Sequence, residues 1–438
     1  FKDLDTVPLD PNVDTAEVVY ENPEAYKQVL AKIYSGLAVT GQQGPSGNSD
    51  IAGIDEGFGQ YLRGLWYHQE FPTEEAVVGW NDQTIKDFHE QDWDENDTFI
   101  AAFYYRIFYQ VAICNEFLRQ TTDAKLNSRG VEEPLYSEIQ GFRAEARFLR
   151  ALSYWHALDH FRDVPFVTEE DEVGAFFPPQ TNANDLFNYI ESELLAIENN
   201  LPAPRGNQYG RADQGAAWML LAKLYLNAEV YINKAAYSEC LEYVNKIIGG
   251  GYTLEPEYKH LFDAQDGSDE IIFPIRFDGV STKTWGGTTF IIRAGIGGSM
   301  NEVAIDQFGV IDGWGGTRAT SALVNKFPAV ASDEGGGFVV LPNAGNEEYP
   351  ELYVPGSFVG WNPANAPAIT NPLDDGIYEG YIYFKDDNTQ FKITEERSFA
   401  NNYGDDNADG TLDFNGDNIV VAEAGLYHLS VDFINLTY

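Results

Sequence analysis

The sequence predicts a mostly α-helical chain, a helical-repeat scaffold with an irregular, loop-rich stretch, followed by an all-β sandwich module. Three observations predict it. Long segments carry apolar residues at helical spacing and stop at proline or glycine. From about 252 to 327 the text becomes rich in glycine and turn residues. Beyond 338, short alternating runs are separated by Gly, Asn and Asp, the pattern of strands and turns. A length of 438 residues suits two or three domains.

Taken in order, residues 22–36 read as a short amphipathic helix after Asn22. NDTFIAAFYYRIFYQVAICNEFLR, from Asn96 to Arg119, places apolar side chains on a wide helical face. A helix from Glu133 to His160 ends before Pro165, because proline has no amide to continue the ladder. The helix from Asn184 to Asn200 is stopped by Pro202 and Pro204. Asp213 to Leu226 and Ala235 to Ile248 form a helical pair closed by Gly249, Gly250 and Gly251. Trp218, Leu221, Tyr225 and Ala228 fall near tetratricopeptide spacing, hence the helical-repeat expectation. In the following stretch EIIFPIRF and GGTTFIIRAGIGGS read as short strands, with DGWGG as a loop; such loops carry function on a rigid scaffold. The expected boundaries are 1–327 for the scaffold, 328–346 for a linker and 347–438 for a β-sandwich, a fold of about a hundred residues.

Composition excludes several functions. The chain has 27 basic and 69 acidic residues, a net charge of −42. Nucleic acid is therefore not an expected partner, since phosphate binding needs clustered Lys and Arg. Docking on an anionic membrane through a basic patch is excluded on the same ground. The acidity is shared: residues 338–438 alone hold 3 basic and 17 acidic groups. A hydrophobic content of 44% supports real cores, and with 14% aromatic residues some rings belong to those cores while others are free to face a ligand. No run of apolar residues is long enough to span a bilayer. The opening FKDLDTVPLDPN has no signal-peptide character and reads as a processed or cropped start.

Catalytic motifs are missing: no nucleophile elbow, P-loop or dinucleotide fingerprint is present. Cys114 and Cys240 lie in apolar helical patterns and read as small buried hydrophobes. His156 and His160 have the spacing of metal ligands but lack the Glu of H-E-x-x-H, so packing is the expectation. Trp66, Trp93, Trp155 and Trp218 sit in helical or amphipathic text and are expected in the core. No cofactor is required. One loop is a candidate for calcium: Asp405, Asn407, Asp409, Gly410 and Asp413 follow D-x-N-x-D-G-x-x-D, oxygen ligands at alternate positions. Gly416 stands at the twelfth position, however, and a polar hairpin loop is the other reading.

DIAGIDEGFGQYLRGLWYHQEFPTEEAVVGWNDQTIKDFHEQDWDEND (50–97) resembles the SusD glycan-binding lipoproteins of Bacteroidota. FYYRIFYQVAICNEFLR, FRAEARFLRALSYWHALDHFRDVPFVTE, TWGGTTFIIRAGIGGSMN and DGWGGTRATSALVNKF agree, so the resemblance runs from about 1 to 327. LYVPGSFVGWNPA, FKIT, NNYG, TLDFNGDNIVV and AGLYHLSVDFINLTY resemble one carbohydrate-binding module of the SusE/SusF type, over about 338–438. SusD-like chains continue past the equivalent of 327 with further helices. Here the module starts instead, as an insertion or in place of a lost tail, so the scaffold is expected to be incomplete relative to the family.

The resemblance implies a non-catalytic α-glucan binder on the outer membrane, facing outward. It would be held by a lipidated cysteine upstream of Phe1 and would lid a SusC-like TonB-dependent transporter. It also implies the site. A sugar ring has an apolar face that Trp or Tyr covers and a hydroxyl rim that Arg, Asn, Gln or Asp bonds. Trp80, Trp285 and Trp314 match an aromatic arc suited to a curved starch helix; Arg63, Asn81, Gln83 and Asp55 match or adjoin its polar partners. In the module, Trp361, Lys392 and Tyr403 match binding positions, with Asn402 beside the last, while Phe399 stands where many relatives have a further Trp. The alternatives are a β-glucan (laminarin) binder, a glycoside hydrolase and an adaptor for proteins only.

Overall fold

The computed structural model describes residues 15–41, 44, 48–174, 177–262, 267–297, 312–324, 350–371 and 376–438. The expected linker at 328–346 lies outside them. The chain forms two compact units. One comprises Phe1–Pro72, Asp82–Pro256 and Asp263–Ile292; the other comprises Thr73–Asn81, Glu257–Phe262 and Arg293–Tyr438.

The first unit is helical. Its elements are α1 (Ala16–Val19), α2 (Ala25–Ser35), α3 (Tyr61–Glu70), α4 (Gln83–Glu90), α5 (Thr98–Gln120), α6 (Asp123–Ser128), α7 (Leu135–Phe161), α8 (Ala183–Ile197), α9 (Gln214–Leu226), α10 (Ala228–Ile232) and α11 (Tyr237–Gly249). Polar caps fix their starts: Asp97 Oδ1 accepts from the amides of Phe99 and Ile100, Asn182 from Asp185 and Asp213 from Ala216. On α5, Phe103, Ile107, Val111, Cys114 and Leu118 recur at three- and four-residue steps and are buried. This stripe packs on α7, which packs on α8, while α9 packs on α11. One apolar core runs through these helices. Both cysteines lie in it, and burial pushes the Cys114 thiol up to about 12, as expected of an inert core residue.

Charged groups also enter this core, several of them in ion pairs. Arg150 of α7 donates to Asn115 Oδ1 at 2.6 Å and Glu193 Oε2 at 2.8 Å, and it pairs with Glu169. It thereby ties α7 to α5, to α8 and to the segment beyond α7. Breaking such a pair strands a buried charge.

Two readings of the loop-rich stretch are corrected. EIIFPIRF (270–277) is irregular, and the GGTTFIIRAGIGGS segment contains a helix, α12 (Gly287–Ala294). Phe290 and Ala294, one helical turn apart, are both fully buried, so packing on a 3.6-residue period overrides the strand propensity of the Thr and Ile residues. Trp93 is corrected as well: it is 44% exposed, whereas Trp155 is buried and Trp218 donates from Nε1 to Glu198 at the edge of the core.

The second unit is built of strands. A short ribbon pairs β1 (Ala76–Val78) antiparallel with β2 (Thr317–Ala319), followed by α13 (Ser321–Val324). The C-terminal part is all β: β3 (Glu351–Tyr353), β4 (Ala368–Thr370), β5 (Ile377–Phe384), β6 (Thr389–Phe391), β7 (Ile393–Thr394), β8 (Asn402–Gly404), β9 (Asp413–Phe414), β10 (Ile419–Val421) and β11 (Gly425–Asp432). A seven-stranded antiparallel sheet runs β11-β5-β4-β3-β7-β8-β9, accompanied by the β10-β6 ribbon. Their inner faces share a separate core of Leu352, Val354, Ile369, Ile382, Phe384, Phe391, Ile393 and Val431. No helix among the described residues is long and apolar enough to cross a membrane.

Candidate functional site

In the second unit the β1–β2 ribbon brings two predicted tryptophans together. The amide of Gly79 donates to Gly316 O at 2.7 Å, extending the ribbon to its end, where Trp80 Nε1 donates to Trp314 O at 3.3 Å across 234 residues of sequence. Gly316 explains the glycines that follow Trp314. A Cβ there would lie 2.4 Å from Trp80 Cε2 and 2.8 Å from Nε1, so only a residue without a side chain lets the indole settle against this backbone. Both indoles are half-buried. Arg293, which the sequence reading missed, accepts the Trp314 amide at its carbonyl (2.6 Å), holds its guanidinium 5.4 Å from the Trp314 ring centroid, and pairs with Asp312. Nothing in its local text marks it; only the fold brings it to the ring.

A second predicted group forms in the first unit. Gly57 is packed among Asp55, Arg63 and Trp285: a Cβ on it would lie 3.0 Å from Asp55 Oδ1 and 3.7 Å from both Arg63 Nη1 and Trp285 Cβ. Trp285 is 43% exposed. Asp55 is exposed, and its Oδ1 accepts the Gly57 amide at 2.7 Å, which shapes the turn. Arg63 donates to Tyr67 Oη at 2.8 and 3.1 Å, and its guanidinium lies 4.3 Å from the Phe290 ring centroid. Such an aromatic seat fixes the guanidinium plane. Burial pushes the Tyr67 phenol up to about 12, so it stays protonated beside Arg63.

Asn81 is exposed, next to Trp80. Gln83 opens α4, where its Nε2 donates to Asp87 Oδ1 (2.7 Å) and Glu90 Oε2 (3.0 Å); its amide is engaged with its own helix.

Of the four predicted residues of the module, Lys392 and Asn402 are joined directly, while Tyr403 and Trp361 have other partners. Lys392 Nζ donates to Asn402 Oδ1 at 3.0 Å and to Gly416 O. Asn402 Nδ2 donates to Asn415 Oδ1 at 2.8 Å and Phe399 O at 3.0 Å. The Tyr403 ring packs between Phe414 and Phe433, and its hydroxyl donates to Glu395 at 2.8 Å. Trp361 lies 6.3 Å from the Phe399 ring, centroid to centroid, and Phe399 is 38% exposed. Phe399 thus supplies a second ring at the position where the sequence comparison expects a Trp. Trp361 has φ = 56°, a left-handed backbone rare for a bulky residue. Such strain concentrates at ligand-holding loops.

The candidate calcium loop is closed on its own hydrogen bonds. Asp405 Oδ1 accepts the amides of Asn407 and Asp409 (both 3.1 Å), and Oδ2 accepts the Gly410 amide (2.9 Å) and the Tyr438 hydroxyl (2.8 Å). Burial pushes the Asp405 carboxyl up, but these bonds outweigh it and bring the group down to about 2. Asp413 Oδ2 accepts the Asp406 amide, and Asp409 Oδ1 the Thr411 amide and hydroxyl. Among the described residues, the acidic group whose ligand atoms lie within 4.8 Å of one another is Asp87, Glu90 and Asp92, not this loop.

Helical scaffold, half-buried tryptophans and all-β module define a class. Two solved structures have the fold: a SusD-superfamily protein of Bacteroides thetaiotaomicron (TM-score 0.52, 15% identity, 70% of this chain and 62% of that one), and surface glycan-binding protein A of the same organism, in complex with laminarihexaose (TM-score 0.52, 19% identity, 69% and 60%). The chain therefore has the SusD-superfamily fold, and residues 347–438 match the family model of the first starch-specific CBM of SusF. More particularly, the chain is similar to the starch-binding protein SusD of Bacteroides thetaiotaomicron, with 35% identity over 338 residues, which are 75% of this chain and 56% of that protein. It spans about half the length of the curated relatives it matches.

Proposed function

We propose that the chain captures α-glucan, as starch or maltooligosaccharide, at the outer membrane surface without cleaving it, and hands it to a SusC-like TonB-dependent transporter. The observation that carries the reading is the Trp80–Trp314 pair, two half-buried tryptophans of which Trp80 has its indole against the Gly316 backbone, in a chain similar to a starch-binding protein. Indoles held this way present flat apolar surface for the C–H face of a glucose ring, and the polar groups around them suit its hydroxyls. In this proposal the module is an auxiliary site that adds avidity. Membrane attachment is by an N-terminal lipid anchor, and calcium has no part.

Affinity electrophoresis through amylopectin, pullulan, dextran and laminarin tests the reading, with Trp80→Ala run beside the wild type. The expected result is retardation by the α-glucans that weakens in the variant. Retardation by laminarin alone would replace α-glucan by β-glucan. Release of reducing ends would make the chain a hydrolase, and no retardation by any polysaccharide would leave a protein adaptor.

A further inference from the structure

We infer that Gln60 is a positioning residue that sets Trp285 and Arg63 relative to one another for glycan contact; the inference rests on the proposed capture of glycan. Gln60 is 1% exposed, yet every polar atom of its side chain is used. Its Nε2 donates to the carbonyls of Leu37 (3.1 Å) and Ala38 (3.2 Å), which fixes the amide plane against the chain beyond α2. Its Oε1 accepts two amides: that of Arg63 at 2.7 Å, as the cap of α3, and that of Gly287 at 2.8 Å, as the start of α12. One oxygen therefore fixes the starts of two helices, one carrying Arg63 and the other following Trp285.

The surroundings are shaped for this contact. Gly286 lies so close that a Cβ on it would meet Gln60 Cβ at 2.4 Å and Gln60 Cγ at 2.8 Å. Gly287 has φ = 57°, and a side chain there would meet the Phe277 ring at 2.6 Å. Buried Thr284 accepts the Gly286 amide at its hydroxyl (3.1 Å) and closes the turn from the other side. Of the two glycines after Trp285, Gly286 is thus required by the approach to Gln60 and Gly287 by its positive φ and the Phe277 ring, and the indole, itself 43% exposed, follows a loop held by a buried amide. Gln is not a favoured helix cap. An acid in its place would accept both amides but could not donate to the two carbonyls, and Ser or Asn would not reach all four partners.

The test uses Gln60→Met, which keeps the volume and removes the four hydrogen bonds, and Gly286→Ala, which leaves Gln60 intact but forces the two segments apart. Hydrogen exchange at the Gly287 amide and acrylamide quenching of Trp285, taken as the difference from Trp285→Phe, are read beside affinity for amylopectin. Both variants should speed exchange and raise quenching. Affinity should fall about tenfold, the cost of a misplaced contact, whereas Gln60→Met made in a Trp285→Ala background should cost less than about twofold. Unchanged exchange and quenching in folded variants, or an equal loss of affinity in both backgrounds, would overturn the assignment. If the wild type binds no glucan, the capture reading fails by itself, and exchange and quenching still decide whether Gln60 holds the Trp285 loop.

Discussion

The candidate site in the helical scaffold and the one in the C-terminal module are held together by different means. In the helical unit, Gln60 joins Gly287, beside Trp285, across 227 residues. In the module, Lys392 reaches Asn402 and Gly416 across 10 and 24 residues, all within neighbouring strands. The scaffold aromatics depend on contacts that exist only when distant segments have packed, whereas the module organises its site from local hairpins. Whatever loosens the helical core should therefore remove the first kind of site before the second.

Acid is the strongest way to separate them. His68, His156 and His160 lie together, with ring centroids 5.6 Å apart for His68–His160 and 6.4 Å for His156–His160. Burial pushes His68 down from 6.5 to about 4 and His156 to about 3, and it lowers His160. The unfolded chain takes up these protons first. Stability is therefore unaffected above about pH 6.5 and is lost as the pH falls from there through about 4, by on the order of 3 kcal/mol for His68 alone. Asp405 in the module is also lowered, but by its hydrogen bonds, and its contribution is lost only as the pH falls from 3.8 toward 2. Thermal melts followed between pH 7 and pH 4 should show the helical signal falling before the module's; simultaneous loss would erase the contrast.

Ring removal comes next. Trp80→Ala should weaken amylopectin binding about 30-fold, ~2 kcal/mol, in the range of a central aromatic anchor. Trp361→Ala should cost less, ~1 kcal/mol or about fivefold, because Phe399 remains; calorimetry on both variants ranks them, and a reversed order would make the module the principal site. The smallest effect expected is from metal. Because Asp405 is fully engaged by amides and a hydroxyl, adding calcium or EDTA should move the melting temperature by no more than about a degree; a larger rise with calcium would show linkage to a bound ion.

Much of the scaffold was legible. The stripe Phe103, Ile107, Val111, Cys114 and Leu118 announces α5, and proline and glycine mark the ends of the long helices. The helix at 287–294 was not, because Gly-Gly followed by β-branched residues reads locally as a strand, and only the burial of Phe290 and Ala294 decides otherwise. Trp93 misled in the opposite sense: an amphipathic context suggested burial for a ring that is 44% exposed. At the candidate sites, the aromatics stood out because tryptophan in turn-rich text is unusual, and resemblance marked the module residues. Gln60 and Arg293 were missed because their roles lie in partners far along the chain, and no local pattern distinguishes them from ordinary surface residues.

Under the proposed function, the left-handed backbone of Trp361 sets stability against ligand contact at a single position. Glycine would relieve the conformational cost of a bulky side chain there, on the order of 1 kcal/mol, but it would delete the ring. A selection that rewarded heat resistance alone would then drift toward glycine and discard the contact unnoticed. Retention of tryptophan under such a selection would require the polysaccharide itself to be part of the screen.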